Sequence, residues 1–284
     1  MKISGKDPFM TGSLVRAGRL FDRKSGNAFV AAMDHGLVTG VRPGNERVLD
    51  TAKRLISCEP QGVLLSLGAL ERTAHLFSFH GAPSIIVRTD FLIVEERVKG
   101  LGEHYRVLCH PEAAAARGVD AIAMFLAVGA GGELISHNAR AISESVVRAH
   151  SVGMGVMVEV VTWGSRSQRG RRDPEELLWG CRMAAELGAD LIKTEYPGTR
   201  KSMRRIVEGC HPVPVLVLGG PKVGSEEALL GTTLDCMESG ARGVVYGRNL
   251  WQAEDAQSIS VKLRNIIHRE YTATGASAHI PGNG

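Results

Sequence analysis

Several large classes of protein are excluded by what this chain lacks. No block of five or six like charges occurs in its 284 residues, and the formal net charge is only +4, so no nucleic-acid-binding arm is expected. The densest basic stretch is Arg166-Ser167-Gln168-Arg169-Gly170-Arg171-Arg172. It reads as a solvated loop or, alternatively, as a place to meet an anionic ligand or partner. No apolar run approaches the roughly 18 residues of a membrane-spanning helix, and the start MKISGKDPFM contains no apolar stretch of the signal-peptide kind. A cytoplasmic protein, neither secreted nor membrane-bound, is expected. The five cysteines, Cys58, Cys109, Cys181, Cys210 and Cys236, form no Cys-x-x-Cys pair, and most sit in apolar or helical surroundings, which suits reduced thiols. Without a His-Glu-x-x-His motif or a cysteine cluster, metal-assisted chemistry has no candidate, and no cofactor is expected. Glu133 and His137 share one helix face at i,i+4, but no third ligand completes a site, and a surface or interface role is expected for them.

What the chain does have is a repeating pattern. Eight short apolar or β-branched runs recur: Ala28–Asp34, Gly62–Gly68, Ser84–Thr89, Ala121–Val128, Val156–Thr162, Leu191–Tyr196, Val213–Gly219 and Gly243–Gly247. Amphipathic stretches separate most of them, including Asn45–Cys58, Gly132–Ser151, Pro174–Leu187 and Ser225–Ser239, and Asp255–Arg269 follows the last. Asp173-Pro174-Glu175-Glu176 offers a helix N-cap, a proline at the first helical position and early acids. Near-continuous apolar strands imply burial on both faces, the mark of a parallel sheet. Strand and helix alternating eight times predict a single (β/α)8 barrel, a TIM barrel, over residues 1–271, with 272–284 as a loose tail. The competing architecture is a doubly wound open sheet, but no Gly-x-Gly-x-x-Gly opens a helix after an early strand.

In such a barrel the chemistry sits at the carboxyl ends of the strands. The sixth run, Asp190-Leu191-Ile192-Lys193-Thr194-Glu195-Tyr196, puts a lysine inside a buried strand. Burying an ammonium is costly unless it is paired, and desolvation favours the neutral amine, a nucleophile for carbonyl carbon. The alternatives for Lys193 are to end the strand in solvent or to pair with Glu195 or Asp34. Asp34 and His35 end the first run, Arg88 and Asp90 the third, and Glu159 and Thr162 lie late in the fifth. Asp34 is expected to face Lys193 and shuttle protons, or else to cap the helix that follows; His35 is expected to support it by hydrogen bonding. Gly219, Gly220 and Lys222 follow the seventh run, and Gly247 and Arg248 the eighth. Those are the loops where barrels often hold a phosphate, and glycine lets backbone N–H groups approach an anion. Arg88 is expected either to bind a substrate carboxylate or phosphate, or to pair with Asp90.

These residues carry a family likeness. AAMDHG, GADLIKTEY, VLGGPKVGSEEAL and SGARGVVYGRNLWQ occur in order from about Arg19 to Gln252. In them the chain resembles the class I aldolases of the archaeal fructose-bisphosphate aldolase type, the DeoC/LacD-like superfamily. The resemblance implies a TIM barrel and a Schiff base on Lys193. It implies a phosphorylated substrate held by Gly219, Gly220, Gly247 and Arg248, with Asp34 as acid/base partner. It also implies a homo-oligomer, pentameric or decameric. One departure stands out: where these aldolases carry a tyrosine proton donor on the fifth strand, this chain has Thr162, within Glu159-Val160-Val161-Thr162-Trp163-Gly164. Glu159, Thr162 or water then takes that role. Ile-Val-Arg88 and the missing tyrosine are also similar to the autoinducer-2-phosphate thiolase branch, which transfers an acyl group to coenzyme A. The expectation is a lyase making or breaking a C–C bond in a phosphorylated ketose or dihydroxyacetone-phosphate-type substrate, with the thiolase and a non-catalytic sugar-phosphate-binding barrel as alternatives.

Overall fold

The computed structural model describes residues 8–93, 102–167 and 172–269. The expected tail and four residues of the basic stretch, 168–171, lie outside the described residues. The chain opens with α1 (Pro8–Gly18), whose Arg16 donates to the carbonyls of Val152 and Gly153 at the amino-terminal end of a barrel. The first barrel strand is β1 (Ala28–Ala32), followed by α2 (His35–Val38) and α3 (Val48–Ile56). Next come β2 (Gly62–Ser66), α4 (Leu67–Thr73) and β3 (Ser84–Arg88). An antiparallel hairpin, β4 (Asp90–Leu92) with β5 (Tyr105–Val107), interrupts the alternation before α5 (Pro111–Ala115) and β6 (Ala121–Ala127). The remainder runs α6 (Gly132–Ser151), β7 (Gly155–Val161), α7 (Pro174–Glu186), β8 (Leu191–Thr194), α8 (Arg200–Cys210), β9 (Val215–Leu218), α9 (Glu226–Glu238), β10 (Gly243–Tyr246), α10 (Arg248–Trp251) and α11 (Ala256–Ile267).

Eight parallel strands close in the order β1-β10-β9-β8-β7-β6-β3-β2, which is the expected (β/α)8 barrel and not an open doubly wound sheet. Every residue of β6 and β7 is buried, as strands covered by helices on one face and by the barrel interior on the other must be. Helix starts follow the sequence signals. The Asp173 carboxylate accepts from the N–H groups of Glu175 and Glu176, and the Ser225 hydroxyl from that of Ala228. Observed strands stop one or two residues short of several predicted runs, because their last residues turn into the loops that form the site.

The barrel interior explains the position of the polar residues. Val30, Ile86, Ala121, Met157, Leu191 and Leu216 point inward as one apolar core, with Leu20 and Phe21 against its amino-terminal end. Side chains alternate across a strand. The residues two positions beyond Leu191, Met157 and Ile86 therefore also point inward, nearer the carboxyl end: Lys193, Glu159 and Arg88. Three charged side chains thus sit on an apolar floor within one closed sheet.

Candidate active site

Register brings the first pair together. β7 and β8 align Glu159 with Lys193, and the Lys193 ammonium lies 2.8 Å from Glu159 Oε2, both side chains about 6% exposed. The buried lysine is thus paired, as its burial requires. Its ion-pair partner is Glu159, not Glu195 or Asp34. Glu195, two residues on, accepts a hydrogen bond from the Thr162 hydroxyl at 3.0 Å and lies 3.5 Å from Arg172. Thr162 therefore points its hydroxyl at a carboxylate, and of the groups offered in place of a tyrosine donor it is Glu159 that touches the lysine.

Asp34 occupies the N-cap position of α2 but makes no side-chain capping bond. Its carboxylate turns into the barrel and accepts from Arg88 Nε at 3.1 Å. Burial pushes Asp34 toward the neutral acid, yet Arg88 and then Lys193 outweigh it and hold the carboxyl below its usual range. His35 stands beside it, Nδ1 3.7 Å from Asp34 Oδ1, with its ring edge-on to Trp251 at 5.5 Å. Burial lowers His35 to about 4, so the ring is neutral at physiological pH. It packs next to Asp34 without the expected hydrogen bond to it.

Of the two roles expected for Arg88, the structure shows the structural pairing, and extends it. The Arg88 side chain is fully excluded from solvent and is enclosed by three carboxylates. Besides Asp34, it donates to Glu159 Oε2 and lies 3.6 Å from Asp90 Oδ1, while its guanidinium carbon stands 3.7 Å over the Phe125 ring. The pairing with Asp90 is present, but as one contact of three. Asp90 is fixed in turn by the Phe125 N–H at 2.6 Å. Burial raises its carboxyl to about 6 in spite of Arg88.

The candidate phosphate loops lie at the ends of β9 and β10. Gly220 adopts φ +62°, a left-handed conformation that favours glycine. At Gly247 a Cβ would stand 2.8 Å from the Ala32 carbonyl oxygen and closer still to the His35 ring, so only glycine lets this turn pass β1. Arg248 opens α10, half-buried, and burial together with neighbouring Arg42 lowers its pKa below that of a free guanidinium. Cationic density therefore collects beside the two glycine turns. Lys222, beyond the first of these turns, is exposed and donates to the Gln252 carbonyl at 2.9 Å. A residue the sequence reading passed over joins the loops. Asn249 donates to the Gly219 carbonyl at 3.1 Å and accepts from the Val223 N–H at 2.9 Å. Its only sequence signal was its place inside Tyr-Gly-Arg-Asn.

Among the described residues, no group of three or more His, Cys, Asp or Glu side chains is arranged as a metal site. His137 packs edge-on against Tyr105, and all five cysteines are free and buried. No helix among the described residues is long and apolar enough to cross a membrane.

Comparison with known proteins agrees with this arrangement. The chain is 30% identical to an uncharacterized aldolase of Saccharolobus solfataricus over 262 residues, 91% of this chain and 95% of that one. It is 27% identical to 2-amino-4,5-dihydroxy-6-oxo-7-(phosphonooxy)heptanoate synthase of Streptomyces griseus over 267 residues, 93% of each chain. In fold it is similar to an archaeal fructose-1,6-bisphosphate aldolase whose catalytic lysine is covalently bound to the carbinolamine intermediate of the substrate. That match has a TM-score of 0.77 at 23% identity and covers 92% of this chain and all of the other. The model of the DeoC/LacD family aldolases matches residues 28–253. With a lysine seated in the carboxyl half of its sixth barrel strand and glycine turns after the seventh and eighth, this chain belongs to the DeoC/LacD family of aldolases.

Proposed function

We propose that this chain is a class I aldolase that makes or breaks a C–C bond in a phosphorylated ketose or dihydroxyacetone-phosphate-type substrate through an imine on Lys193. The observation that carries the reading is the buried Lys193–Glu159 pair at 2.8 Å on the apolar floor of the barrel. Glu159 takes a proton from the ammonium, and the free amine attacks the substrate ketone. The carbinolamine loses water as Glu159 returns that proton to its oxygen, which leaves Glu159 a carboxylate again beside the ionised Asp34. The iminium then draws electrons from the bond beta to nitrogen. Glu159 removes the proton of the substrate hydroxyl, the C–C bond breaks, an aldehyde leaves, and the enamine remaining on Lys193 is protonated and hydrolysed. Synthesis runs the same steps in reverse. Gly219, Gly220, Gly247 and Arg248 hold the substrate phosphate through backbone N–H groups and a guanidinium.

Similarity to a synthase of a phosphonooxy ketone and, in fold, to a bisphosphate aldolase with its lysine in a carbinolamine supports a phosphorylated carbonyl substrate. The five buried free cysteines support a reducing, cytoplasmic setting. Exposed Val147 and Trp179, on outer helices, support a homo-oligomer.

The test is product analysis with fructose 1,6-bisphosphate and a panel of shorter phosphorylated ketoses, with and without coenzyme A, on the wild type and Lys193→Met. The proposal predicts aldehyde release independent of coenzyme A and lost in Lys193→Met. Acyl-coenzyme A formed only when coenzyme A is supplied would replace the lyase with a thiolase. Turnover surviving in Lys193→Met would refute the imine.

A further inference from the structure

Asp34 and Glu159 must act on one amine, yet the sheet does not align them with each other. In the barrel order β1-β10-β9-β8-β7-β6-β3-β2, the strand that leads into Asp34 and the strand that carries Glu159 are four places apart, on opposite sides of an eight-stranded ring. No shared ladder sets the distance between their carboxylates. β3 lies two places from each, and from it Arg88 reaches into the barrel and bonds both, Nε to Asp34 Oδ2 at 3.1 Å and the terminal nitrogen to Glu159 Oε2. That same Glu159 oxygen lies 2.8 Å from Lys193. Asp90 stands 3.6 Å from the other terminal nitrogen, and the guanidinium carbon lies 3.7 Å over the Phe125 ring.

We propose that Arg88 is a positioning residue of the lysine chemistry, a rigid fork that fixes Asp34 and Glu159 on either side of Lys193 without touching substrate, and that Asp90 fixes the fork. The inference rests on the imine reading of Lys193 and goes beyond it by assigning a role to a cation that the reaction itself does not consume. A planar guanidinium holds two carboxylates at a set angle, which a lysine ammonium, a single point charge, does not. The whole Arg88 side chain is excluded from solvent: Nε and one terminal nitrogen are taken up by Asp34 and Glu159, and the other terminal nitrogen makes no hydrogen bond but is buried 3.6 Å from Asp90 Oδ1. Arg88 carries Asp34 and Glu159 as a pair, so its loss affects the rate at which the imine forms and not the affinity for the phosphate.

The test follows borohydride-reducible adduct formation with dihydroxyacetone phosphate and, separately, fructose 1,6-bisphosphate, on the wild type, Arg88→Lys and Asp90→Asn. Rate at saturation, half-saturating concentration and inhibition by inorganic phosphate are measured for each. Arg88→Lys is expected to lower the saturating rate about 100-fold, the scale of an ångström-level misplacement, while half-saturation and phosphate inhibition stay within about twofold. Asp90→Asn keeps an acceptor for the Phe125 N–H and so preserves the fold should Arg88→Lys fail to; it is expected to lower the rate in the same way but less. A wild-type rate in Arg88→Lys overturns the proposal, as does a wild-type rate in Asp90→Asn when Arg88→Lys does not fold. So does an unchanged rate in Arg88→Lys with a tenfold higher half-saturation, which would make Arg88 a substrate-anion ligand. If the wild type forms no adduct with either compound, the imine reading falls first and takes this one with it.

Discussion

Glu159→Gln tests the heart of the site with the least disturbance. One oxygen, Glu159 Oε2, accepts from Arg88 and lies 2.8 Å from Lys193. The enclosed cluster of Arg88, Lys193, Asp34, Asp90 and Glu159 holds two cationic and three acidic groups. Glutamine is nearly isosteric and keeps an acceptor oxygen, so both contacts persist as weaker neutral-acceptor bonds, and two acids still face two cations. The stability cost is therefore about 1–3 kcal/mol, the scale of a charge-assisted hydrogen bond made neutral. Removing the side chain altogether, as in Glu159→Ala, strips the shared partner from both cations and is expected to cost about 3–5 kcal/mol. What glutamine cannot do is take a proton. A lost general acid–base group lowers rates about 10²–10⁴-fold, or about 3–5 kcal/mol of barrier. The assay pairs thermal unfolding with the rate of borohydride-trappable adduct formation. A folded Glu159→Gln protein that traps ketone as fast as the wild type would refute Glu159 as the proton acceptor.

Other consequences follow from the same geometry. Arg248→Ala is expected to raise the half-saturating concentration of dihydroxyacetone phosphate about 10- to 100-fold, for a charge-assisted bond of about 1.5–3 kcal/mol. It should leave unphosphorylated dihydroxyacetone unaffected, and equal effects on the two ketones would remove the phosphate from this loop. Asn249→Ala leaves the Gly219 carbonyl and the Val223 N–H without their partner. It should cost about 1–3 kcal/mol in denaturant unfolding and weaken inhibition by inorganic phosphate; intact phosphate affinity would show that the loops keep their shape unaided. The pH dependence of stability carries two opposing slopes. Asp90 is raised to about 6 by burial, so its contribution is fullest below the ordinary carboxylate range and is lost as pH rises through 6. His35 is lowered to about 4 by burial, so its contribution is present above its ordinary value of 6.5 and is lost as pH falls toward 4. Asp90→Asn removes the first slope and should gain stability relative to the wild type between pH 5 and pH 7, measured by urea midpoints; an unchanged difference between those pH values would place the Asp90 titration elsewhere.

Much of the barrel was legible because burial on two faces leaves a strong mark: the uninterrupted apolar runs that became β6 and β7 could hardly be anything but inner strands. The same contrast exposed Lys193, Glu159 and Arg88, since a charge within such a run needs a reason. Which acid meets which cation was not legible. That depends on register, which aligns Glu159 with Lys193, and on barrel closure, which brings Asp34 within reach of Arg88. The β4–β5 hairpin escaped notice because each strand has three residues, too few for an alternation to show. α8 was legible in principle, since Met203, Ile206, Val207 and Cys210 stand at i, i+3, i+4 and i+7 within Arg200–Cys210; its charge-rich sequence drew attention from that stripe. Asn249 carries neither charge nor bulk, and its part in joining two loops appears only once those loops are folded.

The most direct measurement of the central claim is intact mass and peptide mapping after borohydride reduction in the presence of dihydroxyacetone phosphate. The account predicts one reduced adduct per chain, located on Lys193 and absent from Lys193→Met. An adduct on another lysine, or none with any phosphorylated ketone tried, would contradict it.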